Sequence, residues 1–125
     1  MIIVYVYVYN IHVLSSLARL LQGVIAFEWD EGNCEKNWQS HGVTWGECEQ
    51  VFFHEPIIFF DDDVHSQAEK RYGLYGESNK GRGMTVFFTI RNGFLRIISA
   101  RDQSKKERSS YQMRKKLYFE NQNKI

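Results

Sequence analysis

The chain is poor in the residues that staple small extracellular or metal-bound domains. Its 125 residues include one proline, Pro56, and two cysteines, Cys34 and Cys48, with no Cys-x-x-Cys pair. A structural zinc site takes four well-spaced cysteine or histidine ligands, and the four histidines are scattered. The acidic run at 61–63 lacks the spacing of a calcium loop, which favours a solvated loop. We therefore expect no metal and no cofactor, and free thiols in a reducing cytoplasm.

The composition is that of one globular domain. Hydrophobic residues make up 43% of the chain and charged residues 25%, which excludes collagen-like structure and wholesale disorder. At this length a single core buries roughly two-thirds of the surface of the unfolded chain.

The net charge of +1 hides a strong asymmetry between the two halves. Residues 1–65 hold 2 basic and 10 acidic residues, a net of −8, whereas residues 66–125 hold 14 basic and 5 acidic residues, a net of +9. Such asymmetry indicates a charged partner for one half, or two faces of one domain that neutralise each other.

The first 24 residues differ from the rest of the chain. The stretch Ile2–Ala18 carries no formal charge apart from a protonated His12. Its length is near the lower limit of about 17 residues for a membrane span. It has no basic n-region of a secretory signal, and valine alternates with tyrosine over 4–9, as in a strand. We interpret residues 1–24 as an artefact of start-site choice, with Val24 as a non-AUG start, and place a single domain at 25–125.

The remaining residues predict an α+β fold with two N-terminal helices, a small antiparallel sheet and a basic C-terminal helix. Helix-capping patterns place the first helix after Asp30, ending near Ser40 with Gly42 behind it, and the second over 45–53 after Thr44. The strand pattern selects 57–60, 69–76, 84–91 and 94–101. The last helix is predicted over 103–119, with Asp102 as its cap.

Asn92-Gly93 between two β-rich runs predicts a two-residue hairpin turn. A regular ladder then pairs Thr89 with Arg96 and continues to Met84 opposite Arg101. In that register Arg96 lies on the half-polar face, and Arg101 points towards the core. A long cation in the middle of a strand implies an anionic partner, either a substrate or one of the N-terminal acids.

Several motifs in this order resemble the BrnT family of ribonuclease toxins from bacterial type II toxin–antitoxin modules. The resemblance covers about residues 26–113. Its most specific part is Arg-Ile-Ile-Ser-Ala-Arg at 96–101 with Glu-Arg-x-x-Tyr at 107–111, and the earlier pieces are Phe-Glu-Trp-Asp at 27–30, Lys-Asn at 36–37, His-Gly-Val at 41–43, Glu-Lys-Arg-Tyr at 69–72 and Gly-Arg at 81–82. The family commonly has a basic residue where Ser40 stands, which puts one phosphate contact in doubt.

The resemblance implies a RelE-like toxin architecture and a metal-independent endoribonuclease in the cytoplasm. It also implies a cognate DNA-binding antitoxin in a heterotetramer or similar complex, without direct DNA binding by this chain, and no membrane unless residues 1–24 are genuine. Metal-free RNA cleavage needs phosphate-binding cations and proton transfer. The candidate catalytic residues are His41, Arg71, Arg96 and Arg101, and the candidate substrate-binding residues are Lys36, Arg82, Lys105 and Tyr111.

Other interpretations stay open at this point. His41 beside Gly42 can simply finish a helix, and Glu107 and Tyr111 can orient the arginines. A non-catalytic RNA-binding module, an inactive toxin relic and a membrane-tethered small protein are the alternative functions.

Overall fold

The computed structural model describes residues 2–5, 16–65 and 67–122. In this part of the chain six strands form one sheet, in the order β1-β2-β6-β5-β4-β3. The strands are β1 (Ile2–Tyr5), β2 (Ala26–Trp29), β3 (Ile58–Asp61), β4 (Tyr72–Glu77), β5 (Gly83–Arg91) and β6 (Phe94–Asp102). The helices are α1 (Ser16–Leu21), α2 (Glu31–His41), α3 (Trp45–Gln50) and α4 (Lys105–Gln122).

The predicted mixture of helices and sheet is confirmed, but the sheet is not wholly antiparallel. β2 pairs with β6 in the parallel direction, with Glu28 opposite Arg96, and the other neighbouring strands are antiparallel. The sequence gives no local signal for this pairing, because more than 60 residues separate the two strands. The pairing brings an acidic residue of the N-terminal half beside an arginine of the C-terminal half.

The two N-terminal helices begin where the capping patterns predict. Asp30 caps α2 in a reciprocal capping box with Asn33, and Gly42 ends the helix in the left-handed conformation at φ 62°, which glycine adopts at low cost. Thr44 and Glu47 form the capping box of α3. This helix ends at Gln50, earlier than the predicted Phe53.

The C-terminal helix starts later than predicted, because Ser104 caps it instead of Asp102. The Ser104 hydroxyl accepts a hydrogen bond from the Glu107 backbone N–H, and the Glu107 carboxylate accepts one from the Ser104 N–H. Farther along α4, Arg108 and Lys115 both bind the buried carboxylate of Glu77 at the end of β4. This double ion pair fixes the helix against the sheet.

The predicted hairpin register is confirmed near the turn and wrong beyond it. Asn92 and Gly93 both have positive φ, 51° and 83°, as a type I′ turn requires, and Thr89 lies opposite Arg96. A bulge between the pairs of Phe88 and Phe87 leaves Ile98 without a partner in the ladder. Beyond it Phe87 faces Ser99 instead of Ile98, and Met84 faces Asp102 instead of Arg101.

The core lies on one face of the sheet, here called the core face, which carries Met84, Val86, Phe88, Leu95 and Ile97. The opposite face, here called the arginine face, carries Thr85, Phe87 and Thr89 of β5 and Arg96, Ser99 and Arg101 of β6. Strand alternation separates the two sets.

Residues 16–24, which the sequence pattern places outside the domain, contribute side chains to this core. Leu17, Leu21 and Val24 are buried in the same cluster as Phe27 and Phe88. β1 extends the sheet beyond β2, whereas positions 6–9 of the predicted alternation lie outside the described residues. The apolar character of residues 17–24 is thus explained by burial in the core.

Cys48 of α3 is buried in the core as a thiol; the side chain of Cys34 lies outside the described part. In the ranges described, no helix combines the length and the hydrophobicity that crossing a membrane demands.

Candidate functional site

The bulge at Ile98 places Arg96 and Arg101 on the same face of the sheet. Their partners on β5 are Thr89 and Thr85, four residues apart, so the two arginines are separated by roughly 13 Å along the strand. A regular ladder would turn Arg101 to the core face, as the sequence analysis predicts. The bulge corrects that prediction, because one extra residue on β6 reverses the alternation beyond it.

Arg96 is held by two carboxylates of the N-terminal half. Its Nη1 lies 2.7 Å from Oδ2 of Asp30 and 3.3 Å from Oε1 of Glu28. The hydrogen bond from Arg96 lowers the pKa of Asp30 below its usual range. The Arg96 side chain is 22% exposed, so solvent reaches the guanidinium. The structure therefore contains the ion pair considered as an alternative to a substrate contact, and leaves the group accessible.

Two further arginines lie near this end of the arginine face. Arg91 forms a bidentate pair with Glu69, with both N–O distances 2.7 Å. This hydrogen-bonded contact lowers the pKa of the Glu69 carboxyl, and the charges of Arg71 and Arg96 lower it further. Arg71, a predicted catalytic residue, directly precedes β4 and is partly buried. The structure therefore brings Arg71 into the electrostatic neighbourhood of Arg96.

At the other end of the face, Arg101 is oriented by Glu107 of α4. The guanidinium donates two hydrogen bonds to the Glu107 carboxylate, at 2.7 and 3.0 Å. Thr85, opposite Arg101 on β5, donates a third at 3.0 Å. The hydrogen bonds from Arg101, and then those from the Ser104 N–H and the Thr85 hydroxyl, lower the pKa of Glu107 to about 2. Glu107 is thus a carboxylate near neutral pH and fixes the direction of Arg101.

Helix α2 lies against the part of β6 that continues beyond β2. The Asn33 amide donates to the carbonyl oxygen of Ile97, and the Asn37 carbonyl accepts from the Ala100 N–H at 3.1 Å. Both asparagines are buried, so their amides make the hydrogen bonds with β6 that a longer β2 would make. Lys36 is exposed, with its Nζ 3.5 Å from the carbonyl oxygen of Ile98. The predicted lysine therefore borders the strand that carries Arg96 and Arg101.

The structure separates His41 from the arginine face. His41 is exposed at the end of α2, close enough to Asp102 for its charge to lower the pKa of that carboxyl after the larger effect of Arg82. Asp102 pairs with the core-face residue Met84, so it points away from Arg101. The predicted proton-transfer residue thus lies beside Asp102, whose side chain is on the other side of β6 from that of Arg101.

Arg82 is occupied by protein groups. Its guanidinium donates to the carboxylates of Asp102 and Glu47 and to the carbonyl oxygens of His41 and Gly42. The hydrogen bond with Asp102 raises the pKa of Arg82 further above its already high value. These contacts tie the end of α2 to the ends of β5 and β6, and substrate binding by Arg82 stays a prediction.

Tyr111, which the resemblance makes a candidate substrate contact, lies in the core. Its side chain is 0% exposed, its hydroxyl donates to the Pro56 carbonyl at 2.7 Å, and burial raises its pKa to about 12.

Lys105, by contrast, is exposed at the first residue of α4. Within the described ranges, no three histidine, cysteine or acidic residues are grouped as a metal site requires.

Sequence reasoning missed Glu28 and Asp30 as partners of Arg96. The Phe-Glu-Trp-Asp motif carries both carboxylates, but only the parallel pairing of β2 with β6 brings them to the arginine. Glu28 faces Arg96 directly in that ladder, and such long-range pairings leave no local trace in the sequence.

A comparison with protein families identifies the family of the chain. Residues 29–107 match the family model described as the ribonuclease toxin BrnT of type II toxin–antitoxin systems. The chain belongs to the BrnT family. The matched range covers more than half of the chain and runs from the end of β2 to Glu107, so it includes Arg96, Arg101 and the carboxylates Asp30 and Glu107. No curated protein matches the chain. Membership of this family makes the protein a toxin with ribonuclease activity, with RNA as its target and an antitoxin as its partner.

Proposed function

We propose that the protein is a metal-independent endoribonuclease that cleaves RNA on the arginine face. The observation that carries the proposal is the common orientation of Arg96 and Arg101 in a chain that belongs to a ribonuclease family. Arginine is suited to the non-bridging oxygens of a phosphodiester because its planar fork donates two hydrogen bonds to one phosphate.

Cleavage follows attack of the ribose 2′-oxygen on the adjacent phosphorus. The 2′-hydroxyl loses its proton, a bond forms from O2′ to phosphorus, and the bond from phosphorus to O5′ breaks as O5′ takes up a proton. The products are a 2′,3′-cyclic phosphate and a 5′-hydroxyl. Arg96 and Arg101 stabilise the charge that grows on the non-bridging oxygens, and a well-placed donor of this kind contributes of order 10²–10³ in rate.

Glu107 acts in this proposal through Arg101. A carboxylate whose pKa is about 2 is a weak base at neutral pH, since proton affinity falls with pKa. Its two hydrogen bonds instead hold the Arg101 guanidinium in one orientation. The residue type of His41 suits proton transfer, and its exposed position beside Asp102 gives it a minor part in the proposed cleavage. Arg71, Lys36 and Lys105 remain candidates for further phosphate contacts.

The partner in the proposal is a cognate antitoxin with a DNA-binding domain, in a heterotetramer or similar complex, and the fold is of the RelE-like kind. The exposed basic residues of α4, among them Lys106, Arg114 and Lys116, suit an acidic antitoxin segment by charge. We place the complex in the cytoplasm.

Inducible expression of the protein, with and without the antitoxin encoded by a neighbouring reading frame, tests whether the protein acts as a toxin. Growth arrest and RNA breakage without the antitoxin, both relieved by co-expression, are the expected results. Incubation of the purified chain with RNA in EDTA tests the chemistry, and 2′,3′-cyclic ends are expected. Retention of intact RNA without new ends would instead favour a non-catalytic RNA-binding module, and the absence of both effects would indicate an inactive relic.

A further inference from the structure

Three consecutive rows of side chains lie on the arginine face between Thr89 and Thr85, and the middle row differs from the other two. The outer rows hold the pairs Arg96–Thr89 and Arg101–Thr85, while the middle row holds Ser99 opposite Phe87. Consecutive rows are about 7 Å apart, since each step covers two residues of β5. A phenylalanine beside a serine therefore lies between the two arginines.

Phe87 packs against an aromatic ring on its β4 side and has a small neighbour on its β6 side. On β4 its neighbour in the ladder is Gly73, and the ring of Phe60 occupies the space that a Gly73 side chain would take. Phe60 meets Phe87 edge-on, with ring centroids 6.2 Å apart and an interplanar angle of 82°. On β6 the neighbour is Ser99, whose side chain is small and partly exposed. The Phe87 ring, itself partly exposed, thus stands beside a small side chain, and the surface over Ser99 next to this ring is here called the recess.

Cationic groups border this recess on its remaining sides. Arg96 and Arg101 stand at its two ends along β6, and the exposed Lys36 reaches the carbonyl oxygen of Ile98 at the strand edge. A nucleotide base is a flat ring with polar atoms, and it is joined to a chain of phosphates. It therefore fits a surface that offers an aromatic ring, a hydroxyl group and flanking cations. Proteins usually bind single-stranded nucleic acid by stacking aromatic side chains on the bases and by placing cationic side chains against the phosphate backbone.

We propose that the recess over Ser99 binds one unpaired base of the RNA, stacked against Phe87, while Arg96 and Arg101 hold the neighbouring phosphates. This inference rests on the proposed ribonuclease function and specifies its substrate as single-stranded, because a base inside a duplex offers no free face to Phe87.

The test measures binding of a fluorescent single-stranded oligoribonucleotide with 2′-O-methyl groups, which lacks the attacking hydroxyl. Phe87→Leu removes the aromatic face but keeps an apolar side chain, and should raise the Kd about 5- to 30-fold, as expected for the loss of one stacked base. Phe87→Trp should restore binding. Phe119→Leu is the matched control, since Phe119 is exposed on α4, and should leave the Kd unchanged.

A second variant tests the recess without altering the ring. Ser99→Leu fills the space beside Phe87 and should weaken binding by a similar factor, with circular dichroism and thermal melting verifying the fold of both variants. When a single abasic position is moved along the oligonucleotide, it should weaken binding to the wild type at one position only. At that position it should not weaken binding to Phe87→Leu any further.

The outcomes separate this inference from the function on which it rests. If the wild type cleaves RNA while folded Phe87→Leu and Ser99→Leu bind within twofold of it, the base site is wrong and the ribonuclease stands. Equal affinity of the wild type for duplex and single-stranded RNA also overturns the base site. If the wild type neither binds nor cleaves RNA, the proposed function fails first.

Discussion

Arg96 and Arg101 point to the same face of the sheet although five positions separate them on one strand. An odd separation normally puts two side chains on opposite faces, and the bulge at Ile98 supplies the extra residue that reverses this. The arrangement of the candidate site therefore depends on one irregularity of the ladder.

The pair formed by Arg101 and Glu107 predicts an acid-dependent loss of stability. Because the folded pKa of Glu107 is about 2, well below its ordinary value, its stabilisation is complete above about pH 4.5 and is lost as the pH falls towards 2. Glu107→Gln should cost about 1–3 kcal/mol at pH 7. Urea unfolding of both proteins at pH 7 and pH 3 should show a smaller difference at the lower pH. A constant difference would show that the carboxylate charge contributes nothing.

The position of His41 predicts a modest effect of its removal. His41→Gln should slow RNA cleavage by less than about tenfold, because His41 lies beside Asp102. A general acid or base in the reaction would typically contribute about 10²–10⁴-fold. Single-turnover rates from pH 5 to pH 9 provide the measurement. A hundredfold loss together with disappearance of one limb of the pH profile would make His41 the proton-transfer group after all.

Tyr111 is expected to matter for stability and not for RNA. Tyr111→Phe leaves the buried Pro56 carbonyl without its donor, which should lower the free energy of unfolding by about 1–3 kcal/mol. Cleavage per folded molecule should stay unchanged. Tyr118→Phe is the control, because its hydroxyl donates to Glu55 at an exposed position and should cost less. A drop in RNA affinity of Tyr111→Phe at unchanged stability would return Tyr111 to the site.

In the proposed site Asp30 competes with phosphate for Arg96, which predicts tighter RNA binding when Asp30 is neutralised. Asp30→Asn keeps a residue that caps α2 equally well while it removes the negative charge 2.7 Å from the guanidinium. The Kd for single-stranded RNA at 0.15 M salt should fall about two- to fivefold. Fluorescence anisotropy gives the value, and weaker binding would mean that Asp30 orients Arg96 for the substrate.

Local signals in the sequence predict the caps and turns of this fold. Asp30, Thr44, Gly42 and the Asn92-Gly93 turn all act where their residue types indicate, because each works through hydrogen bonds or dihedral angles within four residues. The same holds for the pairing of Thr89 with Arg96, which lies close to that turn.

Features that depend on distant contacts could not be predicted in this way. The bulge at Ile98 carries no glycine or proline signal, and the parallel pairing of β2 with β6 joins strands that are far apart in sequence. The contacts that occupy Arg82 and the burial of Tyr111 follow only once α2 and α4 are packed against the sheet. For these two residues the family pattern identified the position, and the packing contacts became visible only in the structure.

The most direct test of the central claim is the cleavage of RNA by Arg96→Ala in EDTA. We predict a loss of order 10²–10³ in the single-turnover rate and an unchanged fold by circular dichroism. The slope of the salt dependence of RNA binding should fall by about 0.7 for the lost phosphate contact. Arg19→Ala, which removes an exposed arginine of α1, should behave as the wild type. Cleavage by folded Arg96→Ala at the wild-type rate, with the same 2′,3′-cyclic ends, would contradict the assignment of the site to the arginine face.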